Sequence, residues 1–260
     1  MTLPRVAATQ LWLSLRSLPR APTTGAICCG SSAFNGLMWP SDAEELVEHQ
    51  RHLAELSPDP WQPRTGHLRS GGCWVCFPRG SSGPGAAGDL AWCAAALLYD
   101  GHTLALRVIP GAARAGYVPG LLAMRLGPLL DNVVRLLPQL PDVLLVDGTG
   151  RDHPRRAGLT LHLGAELDIP TVGITHRPLL ATGTWPSEDP GATAPLRLDG
   201  DVVAAWVRTR PGTRPLVVHP GWRTDLDTAV EVIRRVTARR TPEPLRVARR
   251  AAREARTAEA

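Results

Sequence analysis

Pro141-Asp142-Val143-Leu144-Leu145-Val146-Asp147-Gly148-Thr149-Gly150 carries four successive aliphatic residues closed on each side by an aspartate. An unbroken apolar run of this length, without alternation, is the pattern of a strand buried on both faces. It predicts the central strand of an α/β sheet, with Asp147 at its C-terminal end, facing the crevice where such sheets take ligands. Two readings of Asp147 fit equally well at this point: a carboxylate able to hold a divalent cation, or the first residue of an Asp-Gly turn.

Outward from this run, His153-Pro154-Arg155-Arg156 offers an imidazole and two guanidiniums suited to phosphate oxygens, ahead of a helix from Gly158 to Leu167 whose N-terminus also attracts anions. That favours a phosphate site over a bare turn. Thr171 to Ile174 and Leu216 to His219 read as strands, Val202 to Arg208 as an amphipathic segment and Asp225 to Ala238 as a helix. Upstream, Gly72 to Phe77, Ala91 to Tyr99 and Leu104 to Ile109 read as strands, the first two joined by a Gly-rich connection, Gly80 to Gly88. Tyr117-Val118-Pro119-Gly120 is a turn, and Leu121 to Leu137 has apolar residues at helical spacing. Alternating elements of both kinds predict an α/β fold with helices flanking a mixed sheet. Trp92 and Trp206 lie in apolar runs and are expected in the core.

The 260 residues suffice for one main α/β domain, and a 43% hydrophobic composition supports a sizeable core. A net charge of +5 gives weak support to a polyanionic partner. All 29 basic residues are arginine, which excludes a lysine nucleophile, Schiff base or P-loop lysine. No run approaches the roughly 18 to 20 apolar residues that span a bilayer. The five cysteines show no disulfide framework and fit a reducing cytoplasm; Cys73 and Cys76 have the spacing of a metal or redox pair, but their alternating apolar setting favours buried strand thiols. Three divisions are expected: a disordered extension over 1–38, a domain over 39–250, and an Ala/Arg-rich tail over 251–260. The Arg-rich stretch from Arg246 to Arg256 reads as a solvent-exposed helix.

Several motifs in one order resemble endonuclease V: Tyr117-Val118-Pro119-Gly120-Leu121-Leu122, Pro141 to Gly148, His153-Pro154-Arg155-Arg156, His162-Leu163-Gly164 and Asp168-Ile169-Pro170-Thr171-Val172-Gly173. The likeness reaches out to Trp39-Pro40 and Gln50-Arg51-His52-Leu53-Ala54 on one side, and to Pro220-Gly221-Trp222-Arg223 and Pro242-Glu243-Pro244-Leu245-Arg246 on the other. The resemblance implies an RNase H-like fold and, in active members, Mg²⁺-dependent hydrolysis of a phosphodiester near inosine in DNA or RNA. Two hard cations serve such chemistry when a cluster of carboxylates positions them.

Carried across residue by residue, the resemblance places the family's first-strand acidic position at Trp74 and its helix glutamate at Leu126. Asp147 is the retained acid, and the one candidate metal ligand. The Gly-His-Gly of the family reads Gly148-Thr149-Gly150, its lysine falls near His176, and its late histidine falls at Trp222. The implied nucleic-acid-binding set is Tyr117, Val118, Pro119, Gly120, Gly148, Gly150, His153, Arg155 and Arg156, with Tyr117 in the wedge that stacks in place of an extruded base. Asp89, Asp100 and Asp152 do not restore the missing acids from their positions in the sequence. The expectation is a catalytically impaired protein that binds nucleic acid, with no cofactor. The alternatives are an active Mg²⁺-dependent deoxyinosine endonuclease with a rearranged site, or a fold reused for protein or small-molecule binding. The oligomeric state is not legible.

Overall fold

A computed structural model describes residues 39–258, which lie within one compact unit, Gly36–Ala260. The expected extension over 1–38 falls almost wholly outside the described residues. Trp39 enters by stacking on His162 with ring centroids 4.6 Å apart. Asp42 then caps α1 (Ala43–Glu55) by accepting from the Glu45 N–H, while Glu45 reaches back to the Ser41 N–H, a capping box.

The remaining chain forms β1 (Arg69–Cys76), β2 (Leu90–Tyr99), β3 (His102–Ala112), α2 (Leu122–Arg135), β4 (Val143–Val146), α3 (Leu159–Leu167), β5 (Thr171–Thr175), β6 (Thr193–Leu198), β7 (Asp201–Val207), β8 (Leu216–Pro220), α4 (Leu226–Val236) and α5 (Glu243–Ala258). One eight-stranded sheet has the order β3-β2-β1-β4-β5-β8-β7-β6. Strands β1, β4 and β5 run parallel, and every other neighbouring pair is antiparallel. This is the RNase H-like mixed sheet that the resemblance to endonuclease V implies.

The four aliphatic residues of β4 are fully buried and divide between the two faces. Leu144 and Val146 join the core beneath α2 and α3, whereas Val143 and Leu145 join the core beneath α4 and α5. Cys73 and Cys76 likewise face opposite sides of β1, so the pair cannot share a metal or close on itself; both are buried thiols, as is Cys93. Burial pushes the Cys93 thiol up to about 12. Trp92 and Trp206 are core residues, as expected.

Two readings change. The amphipathic segment from Val202 to Arg208 is β7, paired with β6, a strand that the Gly/Pro-rich surroundings of residues 190–200 conceal in the sequence. The Arg-rich tail is a helix as expected, but only one face of it is in solvent. α5 buries Val247, Ala248, Ala251 and Ala252 against β1 and β2, and Leu245 in the core beneath α4, so its packed length runs past residue 250. Alanine hid this face, because a stripe of small residues scores as weakly apolar while still allowing close helix–sheet contact. The approach is tight enough that a Cβ on Gly72 would meet the Pro244 carbonyl oxygen at 2.5 Å.

Candidate functional site

The β1–β4 register fixes the centre of the site. Cys73 pairs with Val146 in parallel strands, so one position further on Trp74 and Asp147 stand side by side at the C-terminal edge. The chain turns from β1 toward β2 on one side and returns as β4 on the other, which makes this edge a topological switch point, the usual ligand crevice of an open α/β sheet. Asp147 remains open to solvent at one side. Protein around the rest of its carboxyl removes hydration and pushes its pKa up to about 6, with Arg249 pulling in the opposite direction.

Trp74 is half-buried and belongs to the α5 face of the sheet. Arg249 of α5 lies over its indole, the guanidinium carbon 4.9 Å from the ring centroid. His176, just beyond β5, hydrogen-bonds Arg240 through Nδ1 at 3.3 Å. Burial first, then Arg240, Arg249 and Arg214, hold its pKa below the ordinary histidine value. Trp74, Asp147, His176 and Arg249 therefore converge at one sheet edge. Leu126, on α2, packs half-buried on the opposite core. Trp222 is brought nowhere near Asp147. It sits at the start of β5, where its carbonyl accepts from Thr171 N–H and its indole N–H reaches Asp168.

These residues do not fit a divalent cation. Mg²⁺ requires hard oxygen ligands, and the centre offers one carboxylate, an indole and a guanidinium already carrying positive charge. Among the described residues no three His, Cys, Asp or Glu side chains gather into a set that could hold a metal. The other aspartates are engaged elsewhere. Asp89 pairs with Arg125 at 2.7 Å, and Asp100 with His67. Asp152 is fully buried and accepts the backbone N–H groups of Leu179, Leu180 and Ala181 at 2.7 to 2.8 Å.

The Tyr117–Gly120 turn, expected as the wedge, is held from behind. Tyr117 is 46% exposed and Val118 48%, so the tip projects into solvent and is not a packed turn. Pro119-Gly120 closes the turn, with Gly120 at φ +77°, the region that favours glycine. Three donors converge on the Gly120 carbonyl: Gln50 Nε2 at 3.1 Å, His153 Nε2 at 3.2 Å and Arg155 Nη2 at 2.6 Å. Arg155 also donates through Nε to Gln50 Oε1 at 2.6 Å, tying the grip together. His153 accepts the Arg155 N–H at Nδ1, which leaves its proton on Nε2 for Gly120. Burial, then the Arg155 charge, pushes the His153 pKa down to about 4, so this neutral tautomer persists through neutral pH.

Arg156 bonds the Leu198 carbonyl and Asp199, and with Arg51, Arg151 and Arg155 it lines a cavity of about 570 Å³. Gly148 and Gly150 are buried: Gly148 accepts from Thr160 Oγ1, and a Cβ on Gly150 would strike the Pro220 carbonyl oxygen at 2.1 Å. They shape the loop after β4 and lie beneath its surface. Sequence reasoning missed two residues here. Gln50 stands in a quoted motif but carried no assigned role, and Arg249 was hidden in a run of arginines.

Fold and site together define an RNase H-like α/β protein with a crevice at the β1–β4 switch and an exposed turn carrying Tyr117. The endonuclease V family model matches residues 84–250. Endonuclease V of Geotalea uraniireducens is 36% identical over 220 residues, covering 82% of this chain and 88% of that one. The crystal structure of Streptomyces avermitilis endonuclease V superposes with a TM-score of 0.74 at 32% identity, covering 85% of this chain and 96% of that chain. Ciona intestinalis endonuclease V, solved with a 24mer DNA containing an inosine, shares the fold at TM-score 0.71 and 21% identity over 84% and 98% of the two chains. The chain belongs to the endonuclease V family.

Proposed function

We propose that this chain binds nucleic acid, with inosine-containing DNA or RNA as its ligand, and that it does not cut the strand. The observation that carries this reading is the pairing of a wedge gripped by Gln50, His153 and Arg155 with a sheet edge where Trp74 and Arg249 stand beside a lone carboxylate. Tyr117 supplies the ring that stacks against a neighbouring base, and the wedge loop follows the strand. Membership of the family supports nucleic acid as the partner, and the Ciona complex supports inosine.

The inability to cut follows from desolvation. An indole at Trp74 provides no oxygen to replace a cation's water beside Asp147, so the ion stays hydrated in bulk. Among the described residues no helix is long and apolar enough to cross a membrane. The free, buried thiols support a reducing cytoplasm as the working compartment.

Gel-shift titration of matched oligonucleotides, with and without one inosine, tests the ligand. The reading requires tighter binding of the inosine strand, and equal or absent binding of both strands removes it.

A further inference from the structure

Arg249, which lies over Trp74, also faces the outer side of α5. There a cavity of about 690 Å³ is lined by Arg79, from the loop after β1, and by Arg246, Arg249, Arg250, Arg253 and Glu254 of α5. Five guanidiniums face one carboxylate. Two are partly neutralised: Arg246 forms a two-pronged bond with Glu243, and Arg250 lies 3.8 Å from Glu254. Among the described residues, Arg79, Arg249 and Arg253 have no carboxylate within 4.0 Å. The Arg249 Nε is buried without a hydrogen-bond partner.

A run of arginines on one helix ordinarily forms a solvated face, its side chains spreading apart to lower their repulsion. Here the charges come from two elements and line one open groove, and one of them is pinned over Trp74. Arg253 is held below the ordinary guanidinium range first by partial burial and then by its neighbours Arg249 and Arg256. Such an arrangement is compensated by an anion. Guanidiniums match phosphate oxygens in geometry as well as charge, whereas their positive charge would repel a metal cation.

We infer that the cavity is a phosphate site for the nucleic-acid backbone, and that Arg249 stands where the fold would otherwise place a cation, so the protein grips the strand without metal. This deepens the proposed function and rests on its choice of ligand. The wedge would read the base, while Arg79, Arg249 and Arg253 hold the backbone of the same strand.

The test uses the full chain, a fluorescent 20-nucleotide oligonucleotide with or without one inosine, and affinity measured from low to high salt in EDTA and in Mg²⁺. Each phosphate neutralised adds about 0.7 to 0.9 to the slope of log affinity against log salt. Binding should survive EDTA undiminished. Arg79→Gln/Arg249→Gln/Arg253→Gln should reduce the slope by roughly 2 and weaken both oligonucleotides about tenfold or more, leaving their ratio unchanged. Arg64→Gln/Arg197→Gln/Arg210→Gln, with the same loss of charge on exposed positions elsewhere, should weaken binding far less. Circular dichroism confirms that both triple variants fold, and Arg249→Lys, which keeps charge but loses the planar fork, provides an intermediate affinity.

Tighter binding of the inosine strand with both affinities and the salt slope untouched by the cavity variant would overturn the inference and leave the proposed function standing. Equal binding of both oligonucleotides that the cavity variant abolishes would support the inference and remove inosine reading. Binding that needs Mg²⁺, a salt slope below about 1 for the unaltered chain, or capture by phosphatidylserine vesicles with no oligonucleotide bound would overturn it.

Discussion

Arg155 donates to the Gly120 carbonyl at 2.6 Å, so a residue of the loop after β4 fixes the wedge that precedes α2, 35 positions earlier in the chain. Charge-assisted bonds of this kind contribute more than neutral ones. Arg155→Ala leaves Gln50 and His153 to hold the carbonyl. We expect a loss of about 1 to 2 kcal/mol in thermal or urea unfolding and a five- to twentyfold weaker hold on the inosine strand. Unchanged affinity on both strands would show that the grip has no part in recognition.

Tyr117 separates recognition from stability. Its ring is exposed, so Tyr117→Ala should shift unfolding by less than about 0.5 kcal/mol. Base–aromatic stacking is worth about 1 to 3 kcal/mol, so affinity for the inosine oligonucleotide should fall about tenfold or more. Isothermal titration beside a thermal melt checks both halves on one sample.

Asp152 marks a carboxylate spent on structure. It accepts three backbone N–H groups of the segment after β5 from full burial. Asp152→Ala leaves three donors without a partner, and we expect destabilisation of about 3 kcal/mol or more. Asp152→Asn, which keeps the shape but turns one acceptor into a donor, should recover part of this. A variant as stable as the parent would show that water replaces the carboxylate.

The histidine behind the wedge gives the stability a pH dependence. His153 titrates at about 4 in the folded chain against an ordinary 6.5, so the unfolded chain binds more protons between these values. Stability therefore rises with pH across this window and is lost as pH falls from 6.5 toward 4. The full shift is equivalent to about 3 kcal/mol for one such histidine. His219, buried and also held near 4, acts in the same direction. His153→Gln should flatten the melting-temperature profile between pH 6.5 and 4, and an unaltered slope would assign the effect elsewhere.

Much of this was legible in the sequence. The Val143–Val146 run gave the central strand because burial on both faces leaves no alternation to confuse with a helix, and Asp147 followed from its end. The motif order assigns the family's first-strand acidic position to Trp74, and the β1–β4 register places that residue beside Asp147. Trp222 shows the limit of such transfer, since its strand runs antiparallel to β5 and carries it to the opposite edge. Arg249 was not legible at all. A guanidinium over an indole arises from packing α5 on β1, and that packing rests on alanines whose burial leaves little mark on hydrophobic periodicity.

The central claim is that one carboxylate beside Trp74 and Arg249 cannot assemble a cutting centre. Incubation of an inosine-containing duplex with the full chain in Mg²⁺, and separately in Mn²⁺, tests this most directly when binding is followed on the same preparation. The account predicts a retarded, uncut strand. Metal-dependent cleavage near the inosine that disappears in Asp147→Ala would contradict it.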